Sequence, residues 1–357
     1  MAAVTAPADI TAQGRFSEAV TRHLAGDLAA AHAAYEQVLQ SDPNHAEAAN
    51  NLASILAQEG DEARALSLLQ HAVGLQPDYG EAYNNLGILW SSRGEHARAL
   101  DAFQRAVALD ATRAGWFNNL GNAYVERFRF AEAEAAFDQG LALNPADADA
   151  WSNRGLALRG LQRPADAMAS LRRALALAPS HVNALSNLGI ILKEAKALDD
   201  AQALLAKATA IDPANARLWC NYAAIFEARG DFDRMRELAR HALELDPGCA
   251  EACNLLANGE MEAGRYDASL ALYEKSLALD PANGNANWNV ALLWLLHGDF
   301  ERGWRQFEWR KRLQSVVFDH GDYVGAEWTG DSLDGRDILL HTEQGVGDAI
   351  QFVRYAA

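Results

Sequence analysis

Prolines recur at a fixed spacing along this 357-residue chain, and that spacing restricts the folds open to it. Seven of the nine prolines are separated by 34 residues or, once, by twice that distance. They are Pro43, Pro77, Pro145, Pro179, Pro213, Pro247 and Pro281, and Ala111 stands at the middle of the double gap. A period of this size indicates one supersecondary unit repeated in tandem, because stacked copies bury a continuous core that a single copy cannot bury.

Placing the proline at position 32 of the repeat divides residues 12–317 into nine units of 34 residues. Position 8 is Gly or Ala in all nine units, while positions 4, 7, 11 and 24 are mostly large and apolar. Small residues at fixed positions let two helices approach closely, and large apolar residues fill the space between them. Near position 15 a pair such as Gly60-Asp61 can end one helix and cap the next. We therefore predict an all-α chain of nine helix–turn–helix hairpins.

These residues resemble the tetratricopeptide repeat family, whose signature is W-x2-L-G-x2-Y, then A-x3-F, then P. The fourth unit matches through Phe117, Leu120, Gly121, Tyr124, Ala133, Phe137 and Pro145. The third matches through Tyr83, Leu86, Gly87, Trp90, Ala99 and Phe103, with Ala111 in place of proline. The resemblance implies a right-handed superhelical solenoid with a concave groove lined by the first helix of each hairpin. The first and last units depart from the pattern, and we expect them to cap the two ends of the solenoid. Residues 1–11 are expected to form an N-terminal tail before the first unit.

Composition excludes several classes of protein. Half of the residues are apolar and the net charge is −17, which argues against a disordered chain and against nucleic acid as a partner. The longest apolar run, residues 290–296, is too short to span a membrane, and residues 1–16 lack the pattern of a secretory signal. Three cysteines cannot form a disulfide scaffold. We expect a cytoplasmic protein without membrane association.

The cysteines also lack the pattern of a metal site. Cys249 and Cys253 lie four residues apart, but no histidine or second cysteine pair completes a zinc-binding set. We interpret both, and Cys220, as small packing residues. We expect no metal and no cofactor, and no catalytic residue is evident in the repeats.

Position 6 of the repeat is asparagine in seven of the nine units. These residues are Asn51, Asn85, Asn119, Asn153, Asn187, Asn221 and Asn289. Asparagine costs about 0.6 kcal/mol relative to alanine inside a helix, so its recurrence needs a compensating role. A row of side-chain amides offers donors and acceptors to the backbone of an extended peptide. The repeat domains of O-GlcNAc transferases resemble this pattern, with asparagines along their inner surface. The sequence therefore predicts binding of proteins or extended peptides; the alternative is that the asparagines come from one duplicated unit and bond only within the solenoid.

The last forty residues lose the repeat pattern. Residues 318–335 are rich in Gly and Asp and are expected to be a linker. Residues 336–357 begin with a predicted strand, continue through a glycine-rich loop and end in a predicted helix, which is typical of the start of a Rossmann-like domain. Gly345, Gly347 and Asp348 of that loop could bind the phosphate of a nucleotide-sugar, or could simply form a tight turn with a helix cap.

This tail carries a second resemblance. The runs Trp328-x-Gly330-x-x-Leu333-x-Gly335-Arg336 and Glu343-Gln344-Gly345-x-Gly347-Asp348-x-Ile350-Gln351-Phe352-x-Arg354-Tyr355 are similar to bacterial proteins that join tetratricopeptide repeats to a glycosyltransferase domain. The resemblance implies the first βα unit of a GT-B, heptosyltransferase-like fold in a larger protein. One strand and one helix cannot form a two-domain cleft, so we expect these 357 residues to recognise a substrate without turning over nucleotide-sugar themselves.

Three functions stay open at this point. The chain could be the substrate-recognition part of a larger glycosyltransferase, or the full-length protein could be a nucleotide-sugar-dependent glycosyltransferase acting on proteins. It could also be an assembly scaffold without catalysis, and such a scaffold could self-associate through the ends of its solenoid.

Overall fold

The computed structural model describes residues 12–312, and within this range the chain forms eighteen α-helices and no strand. The helices are α1 (Ala12–Leu24), α2 (Leu28–Ser41), α3 (Ala46–Glu59), α4 (Glu62–Leu75), α5 (Gly80–Ser92), α6 (His96–Leu109), α7 (Ala114–Val125), α8 (Phe130–Leu143), α9 (Ala148–Gly160), α10 (Pro164–Leu177), α11 (Val182–Glu194), α12 (Leu198–Ile211), α13 (Ala216–Arg229), α14 (Phe232–Leu245), α15 (Ala250–Glu262), α16 (Tyr266–Leu279), α17 (Gly284–Leu296) and α18 (Phe300–Phe307). A short 3₁₀ helix, Glu308–Arg312, follows. The predicted all-α hairpin fold is confirmed. The expected N-terminal tail, the linker and the βα segment with Gly345, Gly347 and Asp348 lie outside the described residues.

The helices pair into nine hairpins over the described range. We call the odd-numbered helices A helices and the even-numbered helices B helices, and we number the hairpins 1 to 9 in chain order. Each A helix begins at the first residue of a 34-residue unit, at residues 12, 46, 80, 114, 148, 182, 216, 250 and 284. Aspartates cap several B helices; the Asp61 carboxylate, for example, accepts a 3.1 Å hydrogen bond from the backbone N–H of Arg64. The local signals in the sequence therefore fix where the helices start.

The turn inside each hairpin needs a left-handed backbone conformation at position 15 of the repeat. In six hairpins this residue is glycine, with φ between 72° and 87°. In hairpins 4, 5 and 6 it is Phe128, Gln162 and Lys196, with φ of 56°, 58° and 63°. The turn keeps the same geometry without glycine, so packing of the flanking helices imposes a conformation that side chains rarely adopt.

Close packing inside a hairpin joins position 8 of the A helix to position 24 of the B helix. A Cβ atom added to Gly121 would lie 2.5 Å from the ring of Phe137, and one added to Gly87 would lie 2.5 Å from Phe103. Phe137 is fully buried and Phe103 is 3% exposed. The structure thus confirms the expectation that small residues admit large ones from the facing helix.

The described residues form two compact segments, 12–214 with hairpins 1 to 6 and 215–312 with hairpins 7 to 9. In the first segment consecutive helices pack in order, and A helices of neighbouring hairpins also contact each other, as α3 does α5 and α5 does α7. In the second segment α13 packs against both α14 and α15. Neighbouring hairpins therefore pack directly against each other within each segment, as expected for stacked repeats.

Candidate functional site

The seven predicted asparagines all occupy the sixth residue of an A helix and are all half-buried. Five of them belong to the first segment, namely Asn51, Asn85, Asn119, Asn153 and Asn187. Asn221 and Asn289 belong to the second segment. Each of these residues is therefore partly exposed to solvent at the same helical position.

In the first segment, three of these amides are hydrogen-bonded to the hairpin before them. The bonds run from Nδ2 of Asn85 to Oδ1 of Asn50 (2.9 Å), from Asn119 to Asn84 (2.9 Å) and from Asn153 to Asn118 (3.2 Å). In each case the acceptor is position 5 of the preceding unit, 35 residues earlier in the chain. We call these six residues the asparagine ladder. Since an amide carries two N–H donors and one carbonyl oxygen, each donor residue keeps one N–H and its Oδ1 outside the ladder bond.

The ladder changes where the residue at position 5 changes. Asn187 follows a hairpin in which position 5 is Ser152, and the Ser152 Oγ is buried without a hydrogen-bond partner among the described residues. Serine has a shorter side chain than asparagine, so its oxygen does not take the place of the asparagine Oδ1. The ladder bond is therefore absent at Asn187.

At the start of the first segment a tyrosine replaces the ladder acceptor. Asn51 Nδ2 donates to the Tyr35 hydroxyl at 3.3 Å, and Asn51 Oδ1 accepts a 3.2 Å bond from Asn50. Tyr35 stands at position 24 of hairpin 1 and is fully buried. Burial raises the pKa of its phenol, so the hydroxyl stays protonated at neutral pH.

The second segment repeats this tyrosine arrangement at Asn289. Asn289 Nδ2 donates to the Tyr273 hydroxyl at 2.8 Å, and the same nitrogen lies 3.4 Å from Asn258 Oδ1. The Tyr273 hydroxyl in turn donates to Asn258 Oδ1. Tyr273 is fully buried, and burial raises the pKa of its phenol. Hairpin 8 itself has Leu255 at position 6, which is 4% exposed and belongs to the core.

Sequence reasoning found the position-6 asparagines but missed their acceptors at position 5. A signal was present, since Asn50-Asn51, Asn84-Asn85 and Asn118-Asn119 are consecutive asparagine pairs one repeat apart. Asn50 and Asn84 are buried, at 1% and 7% exposure, so their oxygens need a donor from within the protein. The asparagine ladder supplies that donor, which gives Asn85, Asn119 and Asn153 a role within the solenoid.

Other predicted features concern metals, membranes and cysteines. Within residues 12–312, no group of three or more His, Cys, Asp or Glu side chains is arranged to hold a metal ion. No helix in the same range is long and apolar enough to cross a membrane. Cys220 and Cys253 are fully buried, while Cys249 is only half-buried. The sulfur atoms of Cys220 and Cys249 lie 3.5 Å apart.

Comparison with known proteins places the chain among helical repeat proteins. Tetratricopeptide repeat profiles match residues 23–88, 63–114, 118–182, 158–225, 216–249 and 250–283. A search of curated protein sequences found no match.

Solved structures share the fold at low identity. A tetratricopeptide repeat protein from Parabacteroides merdae has 17% identity and a TM-score of 0.60, over 72% of this chain and 98% of that one. The APC/C hetero-tetramer Cut9–Hcn1 gives 14% identity and a TM-score of 0.60, over 81% and 57%. PilF of Pseudomonas aeruginosa gives 21% identity and a TM-score of 0.51, over 60% and 97%. Together, the hairpins in register with a 34-residue period and the profile matches along residues 23–283 show that this chain belongs to the tetratricopeptide repeat family.

Proposed function

We propose that the chain is a scaffold that binds extended peptide segments of other proteins along its A helices, through the position-6 asparagines. The observation that carries the proposal is the geometry of Asn85, Asn119 and Asn153. Each is anchored by one N–H to the preceding hairpin and keeps a carbonyl oxygen and a second N–H outside that bond. Three amides held in the same way, one repeat apart, offer matching donors and acceptors to a peptide backbone.

Anchoring matters because a flexible side chain loses conformational entropy when it binds a ligand. Ordering a side chain costs about 0.5–1.5 kcal/mol at an interface. A ladder amide is already ordered by its bond of 2.9–3.2 Å, so less of this cost remains for the ligand. Asn51 and Asn289 are ordered in the same way by buried tyrosine hydroxyls. For Asn187 and Asn221, binding is proposed from their shared position and half-burial.

Backbone recognition would make the scaffold tolerant of peptide sequence. Every residue except proline presents one backbone N–H and one carbonyl, so amide ligands read the chain without reading its side chains. We therefore expect selected peptides to share an extended conformation more than a sequence motif.

The test begins with peptides selected from a random displayed library against the full chain. Affinity is measured by calorimetry for each peptide and for versions carrying single N-methyl groups on backbone amides. We expect methylation at several positions to weaken binding at least tenfold, while alanine substitution of the peptide's side chains changes affinity much less. The opposite pattern would show side-chain recognition and would overturn the backbone mechanism.

Protein variants test the site itself. The triple variant Asn85→Ala, Asn119→Ala and Asn153→Ala is compared with a control. The control is the double variant Gln70→Ala and Gln139→Ala, which alters exposed amides on B helices. We expect the triple variant to bind the peptide at least tenfold more weakly and the control to bind with unchanged affinity. Circular dichroism checks that both variants keep their helical content. Unchanged peptide affinity in the folded triple variant would refute the asparagine site.

We propose, second, that the chain is the substrate-recognition part of a larger, nucleotide-sugar-dependent glycosyltransferase. The support is the similarity of the tail sequence to proteins that join these repeats to a glycosyltransferase domain, with Gly345, Gly347 and Asp348 as its phosphate-binding loop. An antibody against the repeats would measure the mass of the protein in its source cells. A product well above 38.7 kDa that shows amide chemical-shift changes with nucleotide-sugars supports the proposal. A product of about that mass without such changes supports the rival, a non-catalytic assembly scaffold.

Location and assembly are also proposals. The acidic, half-apolar composition and the few cysteines favour a cytoplasmic protein. A scaffold that self-associates through its solenoid ends would show a concentration-dependent mass in light scattering, whereas a constant monomer mass would exclude it.

A further inference from the structure

Two cysteines of the second segment lie side by side although 29 residues separate them in the chain. Cys220 is on α13 and Cys249 is the residue that caps the N-terminus of α15. Their sulfur atoms are 3.5 Å apart, which is a hydrogen-bonding contact between thiols. Cys220 is fully buried, whereas Cys249 is half-buried and so is accessible to a small reagent.

Both cysteines occupy positions where other hairpins place a nitrogen or oxygen acceptor. The residue before an A helix is Asp147, His181 or Asn283 elsewhere, and each side chain accepts a hydrogen bond from a backbone N–H of the helix it caps. Cys249 stands at the same position, but its side chain accepts no capping hydrogen bond from α15. Cys220 is at position 5, where Asn50 and Asn84 serve as ladder acceptors. Hairpins 7 and 8 thus bring two sulfurs together where other repeats use polar acceptors.

The surroundings assign different roles to the two sulfurs. The hydrogen-bonding contact with Cys220 lowers the pKa of Cys249 to about 6. Partial burial and the carboxylates of Glu251 and Asp246 act in the opposite direction. The bond to Cys249 and burial raise the pKa of Cys220. Cys249 is therefore the half-buried sulfur whose pKa is lowered, and Cys220 is the buried thiol facing it.

We propose that Cys249 and Cys220 form a thiol-oxidation site that reacts with hydroperoxides and closes to a disulfide. In the first step the Cys249 thiolate attacks an oxygen of the hydroperoxide and the O–O bond breaks. Cys249 becomes a sulfenic acid, and the alkoxide or hydroxide released takes a proton from water. In the second step the Cys220 sulfur attacks the Cys249 sulfur, its proton and the sulfenic hydroxyl leave as water, and the S–S bond forms. The two cysteines lose two electrons and the hydroperoxide gains them.

The geometry favours the second step because the two sulfurs already lie 3.5 Å apart and approach to about 2.0 Å when the disulfide forms. The disulfide would tie α13 to the start of α15 and so join hairpins 7 and 8 covalently. Cys253 is an internal comparison. It is four residues from Cys249 but is fully buried, and burial raises the pKa of its thiol.

The experiment treats the full chain with a small excess of hydrogen peroxide and counts free thiols after denaturation. We expect the three thiols of the reduced chain to fall to one. Mass spectrometry after cleavage behind glutamate then assigns the disulfide, because Glu251 lies between Cys249 and Cys253 and separates them into different peptides. The expected product joins the peptides of Cys220 and Cys249 and is reversed by dithiothreitol.

Variants separate the two steps. In Cys220→Ala we expect no disulfide, and a Cys249 sulfenic acid that dimedone traps; in Cys249→Ser we expect neither product. The matched control Cys253→Ser should form the disulfide as the wild type does, and circular dichroism checks each fold. Three free thiols after peroxide, a disulfide that includes Cys253, or a sulfenic acid that persists in the wild-type chain would each overturn the proposal.

Discussion

Asn119 Nδ2 donates a 2.9 Å hydrogen bond to Oδ1 of Asn84, which lies 35 residues earlier and on the A helix of the preceding hairpin. Asn84 is 7% exposed, so its oxygen would lack a partner if this bond were lost. The same relationship recurs between Asn85 and Asn50 and between Asn153 and Asn118. The ladder therefore couples neighbouring hairpins while it holds the amides proposed to bind peptide.

A double-mutant cycle on Asn84 and Asn119 should reveal this coupling. We expect each single alanine variant to lower the free energy of unfolding, and the double variant to lose less than the sum by about 0.5–1.5 kcal/mol, the net value of one hydrogen bond. Urea denaturation followed by circular dichroism measures all four proteins. The pair Gln70→Ala and Asn119→Ala shares no contact of this kind and should be additive. Strict additivity for Asn84 and Asn119 would show that the bond carries no stability.

Substituting Gly121 should destabilise hairpin 4. A Cβ atom there would lie 2.5 Å from the ring of the fully buried Phe137, so Gly121→Ala forces the core apart and should cost about 1–3 kcal/mol. The matched control is Gly74→Ala on α4, where the added Cβ meets nothing within 4 Å. That control should stabilise the chain by up to about 1 kcal/mol through helix propensity. Thermal and chemical denaturation of both variants give the comparison.

A second-site change tests the reason for that cost. Hairpin 2 already combines Ala53 with Leu69 at the two positions, and both are buried. The double variant Gly121→Ala and Phe137→Leu copies that pair, so it should be less destabilised than the sum of its single variants. If the double variant is destabilised by the full sum of the two single changes, steric conflict between these two side chains is not the cause of the destabilisation.

The left-handed residue Lys196 should be replaceable by glycine with a gain in stability. Its φ is 63°, and a left-handed conformation costs a residue with a Cβ about 1–2 kcal/mol. Because glycine also loses more backbone entropy on folding, we expect a net gain of about 0.5–1 kcal/mol for Lys196→Gly. Gly94→Ala is the converse variant, with φ of 72° and nothing within 4 Å of the added Cβ, and it should lose about 1 kcal/mol. The urea concentration at the unfolding midpoint shows whether each variant is more or less stable than the wild type.

The reactivity of Cys249 should depend on pH in a range that distinguishes it from Cys253. The pKa of Cys249 is lowered to about 6, so its thiolate fraction falls as pH drops through 6 and is nearly complete above pH 7. Burial raises the pKa of Cys253, which should react slowly throughout. Iodoacetamide labelling rates, read by mass spectrometry between pH 5 and 9, test this. A Cys249 rate that rises only near pH 8 to 9 would contradict the lowered pKa.

Local sequence signals predicted most of the fold. The start of each A helix, the caps such as Asp61 and the fit of Gly121 to a large residue all follow from the period and from residue size. These features depend on contacts within one hairpin or on backbone preferences of a few residues. The turn residues Phe128, Gln162 and Lys196 broke the glycine rule without changing the turn, because the packed helices on either side outweigh a local strain of about 1–2 kcal/mol.

The sequence by itself determined that the chain is an all-α stack of 34-residue hairpins with asparagines in register, because period, residue size and capping act locally and repeat. Only the tertiary structure decided what those asparagines bond to, since the donor Asn119 and the acceptor Asn84 belong to different hairpins and meet through stacking. The same holds for Cys220 and Cys249, which the sequence separates by 29 residues and the packing of α13 against α15 brings to 3.5 Å. Which side chains meet across hairpins depends on how the helices stack. No local sequence pattern predicts the distance between such side chains.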